Sequence, residues 1–224
     1  PGADGGVRAP RDGGVRAPRD GGVRAPQGEP QGAPLRPWHS RGYLPHVEDK
    51  QLQSVTFRLY DSVPKDIVER WREQAMRDVT GEEEIKIRKA IADYEDQGHG
   101  ECLLRDRRIA DIVQSALLYY DGVRYDLIRW CIMPNHVHVL IAVNGEWSLS
   151  SILKYWKSFT AHEANKILGR KGSFWMAEYF DRYIRNEQHL QNVIQYIDNN
   201  PVKAGLVESP ECWPWCTLGA EADL

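Results

Sequence analysis

The chain has 224 residues, of which 42% are hydrophobic, and its 29 basic and 32 acidic residues leave a net charge of -3. This size predicts one core domain with an extension. The charge argues mildly against a nucleic-acid partner, because domains that bind nucleic acids usually carry a basic excess. No apolar run reaches the roughly 20 residues that span a bilayer, and the start lacks the pattern of a signal peptide. We therefore expect no membrane partner and a cytoplasmic location.

The four cysteines predict neither a disulfide framework nor a zinc site. They are Cys102, Cys131, Cys212 and Cys216, and in a reducing cytoplasm they would remain free thiols. The spacing of Cys212 and Cys216 is not that of a zinc knuckle, and no Cys/His pair follows at finger spacing.

Residues 4–27 contain an eight-residue repeat, Asp-Gly-Gly-Val-Arg-Ala-Pro-Arg, which occurs twice in full and a third time with Gln27 at its end. The period fits no solenoid, and the composition cannot bury enough apolar surface to become ordered. We therefore predict a disordered tail at residues 1–37 and a single domain at 38–224. Six arginines against four acids up to Arg36 leave a basic arm as the alternative.

Hydrophobic periodicity predicts the elements of the domain. Strands are expected at 51–60, 125–133, 135–143 and 174–184, and helices at 66–78, 81–97, 106–120, 149–168 and 186–199. This order predicts an α+β fold, a ferredoxin-like antiparallel sheet flanked by helices, with an inserted helical segment.

Two histidines share one face of the strand that begins after Pro134 and Asn135. His136 and His138 are two residues apart, so both side chains point to the same side, while Val137 and Val139 point to the core. Two imidazoles at this spacing can converge on one divalent metal ion. Two satisfied strand histidines are the alternative interpretation.

The last helix carries a tyrosine and an asparagine on one flank. At 100° per residue, Leu190, Val193 and Ile197 form the buried stripe, and Tyr196 and Asn200 lie one turn apart beside it. A tyrosine hydroxyl has a pKa near ~10, so it is a poor nucleophile until it is activated. Pro201 disfavours helical geometry at Asn200, so we expect the helix to end at about residue 199. A boundary tyrosine with a packed ring is the alternative.

Together these residues point to phosphodiester chemistry. A metal held by His136, His138 and Asn200 would bind and orient a scissile phosphate, and Tyr196 would form a covalent phosphotyrosine. No glycine-rich loop with a phosphate-binding lysine is present, so we expect no nucleotide cofactor.

At these residues the sequence resembles the REP-associated tyrosine transposases, relatives of the single-tyrosine HUH transposases. The resemblance covers about residues 41–215 and leaves out the repeats. It is carried, in order, by Gly42–His46, Val55–Leu59, Gly98–Cys102, Met133–His138, Trp156–Thr160, Phe174–Trp175, Glu178–Arg182 and Asn200–Leu206.

The resemblance implies a metal-dependent enzyme that nicks and joins single-stranded DNA beside hairpins formed by REP-like palindromes, through a 5′-phosphotyrosine. It makes His136, His138 and Asn200 the ligands of Mg²⁺ or Mn²⁺ and Tyr196 the nucleophile. The predicted DNA-binding residues are Gly42, Tyr43, His46, Lys154, Lys157, Arg182 and Arg185. The four cations come from a stretch, Ser151–Leu190, with seven basic residues against four acidic ones.

Two other functions and two assembly states stay open. A catalytically silent DNA-hairpin-binding protein would bind a hairpin in a salt-dependent way without cleaving it. A hydrolase that uses water and the two histidines alone would keep its activity in Tyr196→Phe. The sequence is compatible with a monomer and with a homodimer.

Overall fold

The computed structural model describes residues 38–40, 45–47, 52–64 and 97–222, and isolated positions between 67 and 94. The predicted tail at 1–37 lies outside the described residues. The predicted helices at 66–78 and 81–97 lie largely outside them too.

Six strands are described, in two antiparallel sheets. A short hairpin pairs β1 (Trp38–Ser40) with β2 (Pro45–Val47). The main sheet contains β3 (Leu52–Leu59), β4 (Tyr125–Ile132), β5 (His136–Val143) and β6 (Trp175–Tyr183), in the order β4-β5-β3-β6 with every neighbouring pair antiparallel. The four predicted strands are therefore confirmed.

Three of the four α-helices in residues 97–222 begin after a residue whose side chain caps them. The four helices are α1 (Arg107–Leu118), α2 (Leu149–Ile167), α3 (Glu187–Lys203) and the short α4 (Thr217–Ala222). Asp106, Ser148 and Asn186 each accept a hydrogen bond from a backbone N–H in the first turn of α1, α2 and α3. A helix connects β3 to β4 and another connects β5 to β6, so the strand order is that of the split β-α-β of ferredoxin-like folds. The predicted α+β class is confirmed.

One face of the sheet forms the main hydrophobic core with α1 and α2. Phe57 of β3 packs against Trp156 of α2, with ring centroids 6.1 Å apart, and against Trp175 of β6 at 4.9 Å. The polar atoms of these aromatic residues are satisfied: Trp156 donates to the hydroxyl of Tyr125, and Trp175 donates to Thr160. Val137, Val139, Ile141 and Val143 of β5 point to this core, as predicted.

The other face of the sheet is covered by α3. Ile197 packs with Leu140 of β5 and with Cys131 and Met133, and this smaller cluster extends to Leu190, Val193 and Ile194 of the same helix. The predicted buried stripe of the helix is therefore confirmed. Because α3 lies here, both faces of β5 are buried.

The chain after α3 packs back against β4. Ile132 donates its backbone N–H to the carbonyl of Trp215, and the indole of Trp213 donates to the carbonyl of Ile132. All four cysteines are free. Among the described residues, no helix has both the length and the apolar character that crossing a bilayer requires.

Candidate active site

His136 and His138 lie at the start of β5 with their rings against each other. Their Nε2 atoms are 2.8 Å apart and the rings are nearly perpendicular. The side chains are 0% and 4% exposed. Burial lowers the pKa of His138 to about 3 and, together with the charges of His138 and Arg58, holds the pKa of His136 well below its usual value. Both imidazoles are therefore neutral at pH 7, the form that binds metals.

Each imidazole is held from behind by a polar side chain. Nδ1 of His136 lies 2.7 Å from Oδ1 of Asn135, whose amide nitrogen donates to the carbonyl of His99 at 2.9 Å. Nδ1 of His138 lies 2.8 Å from the hydroxyl of Thr56 on β3. The register explains the second contact, because Thr56 pairs directly with His138 across the strands. Both Nε2 atoms are thereby aimed at one point.

Helix α3 brings Tyr196 onto this pair. The ring of Tyr196 meets the ring of His138 edge to face with centroids 5.3 Å apart, and the tyrosine keeps 37% of its surface exposed. Lys203, two turns later, places its Nζ 5.7 Å from the centre of the tyrosine ring, and its charge contributes to the low pKa of His138. The predicted nucleophile therefore lies beside the two predicted histidine ligands.

Asn200 lies one turn after Tyr196 and is 1% exposed. Neither its amide oxygen nor its amide nitrogen has a hydrogen-bond partner among the described residues. A buried amide without partners costs about 1–3 kcal/mol. This cost is understandable if a ligand or ion completes the site.

The end of the last helix was predicted wrongly. Instead of ending at about residue 199, α3 continues through Pro201 to Lys203, so Asn200 is helical. A proline inside a helix removes one hydrogen bond. Here the next turn is intact, because Ala204 donates to the carbonyl of Asn200 and Leu206 donates to that of Pro201. Ile197, Asn200 and Pro201 are all buried, and we attribute the tolerance of the proline to this packing.

Two predicted DNA-binding arginines share the site's side of the sheet. Arg182 of β6 pairs with Ser54 of β3, so its side chain points to the same side of the sheet as that of Thr56. Arg185 lies two residues after the end of β6. Both arginines contribute, after burial, to the lowered pKa of His189 at the start of α3. Arg182 and Arg185 are exposed, so they lie at the rim of the histidine face.

The two predicted lysines lie elsewhere. Lys154 and Lys157 belong to α2, which packs on the opposite face of the sheet, and they line an open groove of about 400 Å³ between α2 and β6. Lys157 donates to the carbonyl of Ala177 at 2.8 Å. The structure therefore does not bring the lysines to the histidine pair, and their role in binding DNA stays a prediction.

The predicted opening segment is described only in part. Gly42 and Tyr43 lie outside the described residues. His46 belongs to β2, where its backbone pairs with that of His39.

Arg58 was not among the site residues predicted from the sequence. It is 2% exposed and pairs with His136 across the strands. Its Cζ atom lies 5.3 Å from the ring centre of Phe180. The sequence does contain the pattern that places it: side chains alternate along a strand, so Val55 and Phe57 point to the core and Arg58 points to the other face. A buried guanidinium beside two histidines suits a site that receives an anion.

Three comparisons bear on this geometry. Residues 106–200 match the family described as Transposase IS200 like. A REP-associated tyrosine transposase of Escherichia coli K12 is 28% identical over 95 residues, which is 42% of this chain and 54% of that protein. A sequence of Haemophilus influenzae classed with the same transposases is 28% identical over 104 residues, which is 42% of this chain and 59% of that protein. The chain thus spans a little more than half the length of these relatives.

A solved structure extends the comparison to the fold. It is a REP-associated tyrosine transposase bound to a REP hairpin, with a TM-score of 0.52 and 18% identity over 83% of this chain and 84% of that one. At this identity the match concerns the fold alone. Together with the family match, it confirms the resemblance predicted from the sequence.

Proposed function

We propose that this relative of the REP-associated tyrosine transposases is a DNA nicking and joining enzyme. It would act on single-stranded DNA next to a hairpin of the REP type, in the cytoplasm, through a covalent 5′-phosphotyrosine. The observation that carries the proposal is the meeting of three groups in one place. Two neutral imidazoles share a focus, the Tyr196 ring lies against one of them, and the buried Asn200 amide lacks partners in the described structure.

The residues present fit a divalent metal ion. His136 and His138 offer two Nε2 lone pairs, and Asn200 is the candidate for a third, oxygen ligand. Among the described residues no group of three or more His, Cys, Asp or Glu side chains could hold a metal, so a neutral oxygen donor is needed. The amide oxygen of Asn200 is a donor that suits Mg²⁺ and Mn²⁺, and the scissile phosphate would add further oxygen ligands. When bound, the metal would polarise the scissile phosphate and hold it for in-line attack.

The covalent step falls to Tyr196. Its Oη would attack the phosphorus and form a new P–O bond, while the bond from phosphorus to the 3′ oxygen of the preceding nucleotide breaks. The phenolic proton leaves to water and the 3′ oxygen takes up a proton, so the step is balanced and needs no nucleotide cofactor. The phosphotyrosine conserves the energy of the broken phosphodiester bond. A 3′ hydroxyl can therefore attack the phosphotyrosine and rejoin the DNA.

The hairpin partner is inferred from the comparisons and from the charged rim. Arg182 and Arg185 would contact phosphates near the cleaved strand. Lys154 and Lys157, across β6, would contact the stem if the DNA crosses this edge strand. Residues 42–46 complete the predicted DNA-binding set.

A direct assay tests the enzyme. A labelled single strand carrying a REP-type hairpin and its flanks, incubated with Mn²⁺, should give a labelled protein adduct that survives denaturing electrophoresis. Tyr196→Phe should give none. If Tyr196→Phe forms the adduct, Tyr196 is not the nucleophile. If it instead releases cut DNA without an adduct, the enzyme is a hydrolase that uses water.

One observation favours a second function, a hairpin-binding protein without cleavage. His136 and His138 are at most 4% exposed, with Tyr196 of α3 against His138, so DNA cannot reach the pair in this conformation. Hairpin binding with no adduct in either Mg²⁺ or Mn²⁺, at protein concentrations that saturate the DNA, would identify this function.

A further inference from the structure

The two histidines are held by partners of different chemistry. We infer that Asn135 and Thr56 are positioning residues: Asn135 fixes His136 in one tautomer, and Thr56 lets the proton of His138 change nitrogen when a metal binds. The second half of this inference rests on the proposed metal site. The first half concerns the metal-free protein alone.

Asn135 can only accept from His136. Its amide nitrogen already donates to the carbonyl of His99, so the amide is oriented with Oδ1 towards Nδ1 of His136 at 2.7 Å. An amide oxygen has no proton to give. The proton of the neutral His136 therefore lies on Nδ1, and its Nε2 carries a lone pair. Asn135 is 0% exposed, so bulk water does not compete for this bond.

The 2.8 Å contact between the two Nε2 atoms then determines the tautomer of His138. Two lone pairs facing each other at this distance would repel, so one Nε2 must carry a proton, and it is not that of His136. The proton of His138 is on Nε2, and its Nδ1 is bare. Thr56 must consequently donate its hydroxyl proton to Nδ1 of His138 across their 2.8 Å contact.

Metal binding requires a different arrangement. Both Nε2 atoms must then offer lone pairs, so His138 loses the proton on Nε2 and gains one on Nδ1, with no net change in charge. Thr56 suits this exchange, because a hydroxyl can turn from donating to accepting without moving its oxygen. The amide of Asn135 has no such freedom, and His136 needs none. One imidazole is thus fixed and the other can switch.

Nitrogen NMR of protein labelled with ¹⁵N-histidine reports the tautomers directly, with His136→Gln and His138→Gln used for assignment. Without metal we expect the proton on Nδ1 of His136 and on Nε2 of His138. With saturating Mg²⁺, which is diamagnetic, His138 alone should change to Nδ1–H. A proton on Nε2 of His136, or on Nδ1 of His138, in the metal-free protein overturns the inference.

Mn²⁺ binding, followed by electron paramagnetic resonance, separates this inference from the proposed function. If Mn²⁺ and Mg²⁺ compete for one site but the tautomer of His138 stays unchanged, the switch is wrong while the metal site stands. If neither metal binds, the metal site is wrong, and the metal-free spectrum still decides the role of Asn135.

Paired variants add a second readout. Asn135→Leu and Thr56→Val should weaken Mn²⁺ binding by ~10–100-fold, the usual effect of removing an outer partner of a metal-binding histidine. Thr56→Ser should restore binding, and Asn135→Asp should keep His136 protonated on Nδ1 even if Asn135→Leu does not fold. Asn165→Leu is the matched control, because Asn165 also donates to a backbone carbonyl, that of Gly172, but on α2. Wild-type Mn²⁺ affinity in folded Asn135→Leu and Thr56→Val would contradict the inference.

Discussion

The two faces of the sheet are both buried, but they are built for different purposes. On the α1 and α2 face, aromatic rings pack against one another, and the indoles of Trp156 and Trp175 both donate hydrogen bonds to buried hydroxyl groups. On the α3 face, two imidazoles, a guanidinium and an amide that has no hydrogen-bond partner among the described residues lie near a small apolar cluster. One face therefore supplies stability, and the other holds polar groups ready for a ligand.

The largest effect should come from the α3 face and leave the fold intact. Tyr196→Phe removes one hydroxyl from a ring that is partly exposed, so we expect complete loss of the covalent adduct. Thermal unfolding and hairpin affinity should stay as in the wild type. The adduct assay and a melting curve, taken on the same preparation, check both halves. A fall in melting temperature of several degrees would show that the hydroxyl is structural.

The α1 and α2 face should respond in the opposite way. Trp156→Ala removes a buried side chain that stacks on Phe57, and such a truncation costs about 3–5 kcal/mol of the free energy of unfolding. Denaturant unfolding measures this loss. At a temperature where the variant is still folded, metal affinity should be unchanged. A selective loss of metal binding would mean that the two faces are not separable.

Acid should unfold the metal-free protein through the α3 face. The pKa of His138 is about 3 in the folded state against 6.5 for an ordinary histidine, so the unfolded state binds more protons between these values. Stability is therefore full above about pH 6.5 and falls as the pH drops towards 3, by up to a few kcal/mol. His138→Gln should make the dependence shallower in this window, and His136, whose pKa is also lowered by burial, should supply what remains. An equally steep loss in His138→Gln would assign the effect to other groups.

Replacing Asn200 should separate stability from function. Asn200→Leu removes a buried amide that lacks hydrogen-bond partners within the described part of the chain, so the metal-free protein should become more stable by about 1–3 kcal/mol. Mn²⁺ affinity and adduct formation should fall, because the variant has no third ligand. Calorimetry with and without Mn²⁺ measures both. A less stable variant would show that the amide makes a structural contact.

The smallest effects concern the cations on the two sides of β6. The double variant Arg182→Gln/Arg185→Gln should bind the hairpin more weakly and depend less on salt. The slope of log binding constant against log salt concentration should fall by about 0.7–0.9 for each phosphate that is no longer neutralised. The double variant Lys154→Gln/Lys157→Gln tests whether the α2 side of β6 also contacts the DNA. Binding titrations over a range of salt concentrations compare the pairs. A larger change for the lysine pair would place the DNA on the α2 side.

Much of the fold could be predicted, because its signals are local. The alternation of β5 and the stripe of α3 depend on neighbours in the chain, and the structure agrees with them. The histidine pair was also predictable, since residues two apart in a strand share a face.

The remaining features depend on packing between distant segments. Pro201 remains helical in a buried setting that local preference does not reveal. Whether Lys154 lies beside the histidines or across the sheet from them depends on which face α2 covers. The role of Arg58 depends on pairing between distant strands, because it lies beside His136 only once β3 and β5 are in register.

The burial of the histidine pair also affects the timing of metal uptake. An ion cannot reach Nε2 of His136, which is 0% exposed, without α3 or a neighbouring loop moving aside. The rate of loading should then be limited by this opening and become independent of metal concentration at high concentration. Stopped-flow mixing with Mn²⁺ would show a plateau in the observed rate, and the plateau value would measure how often the helix uncovers the site.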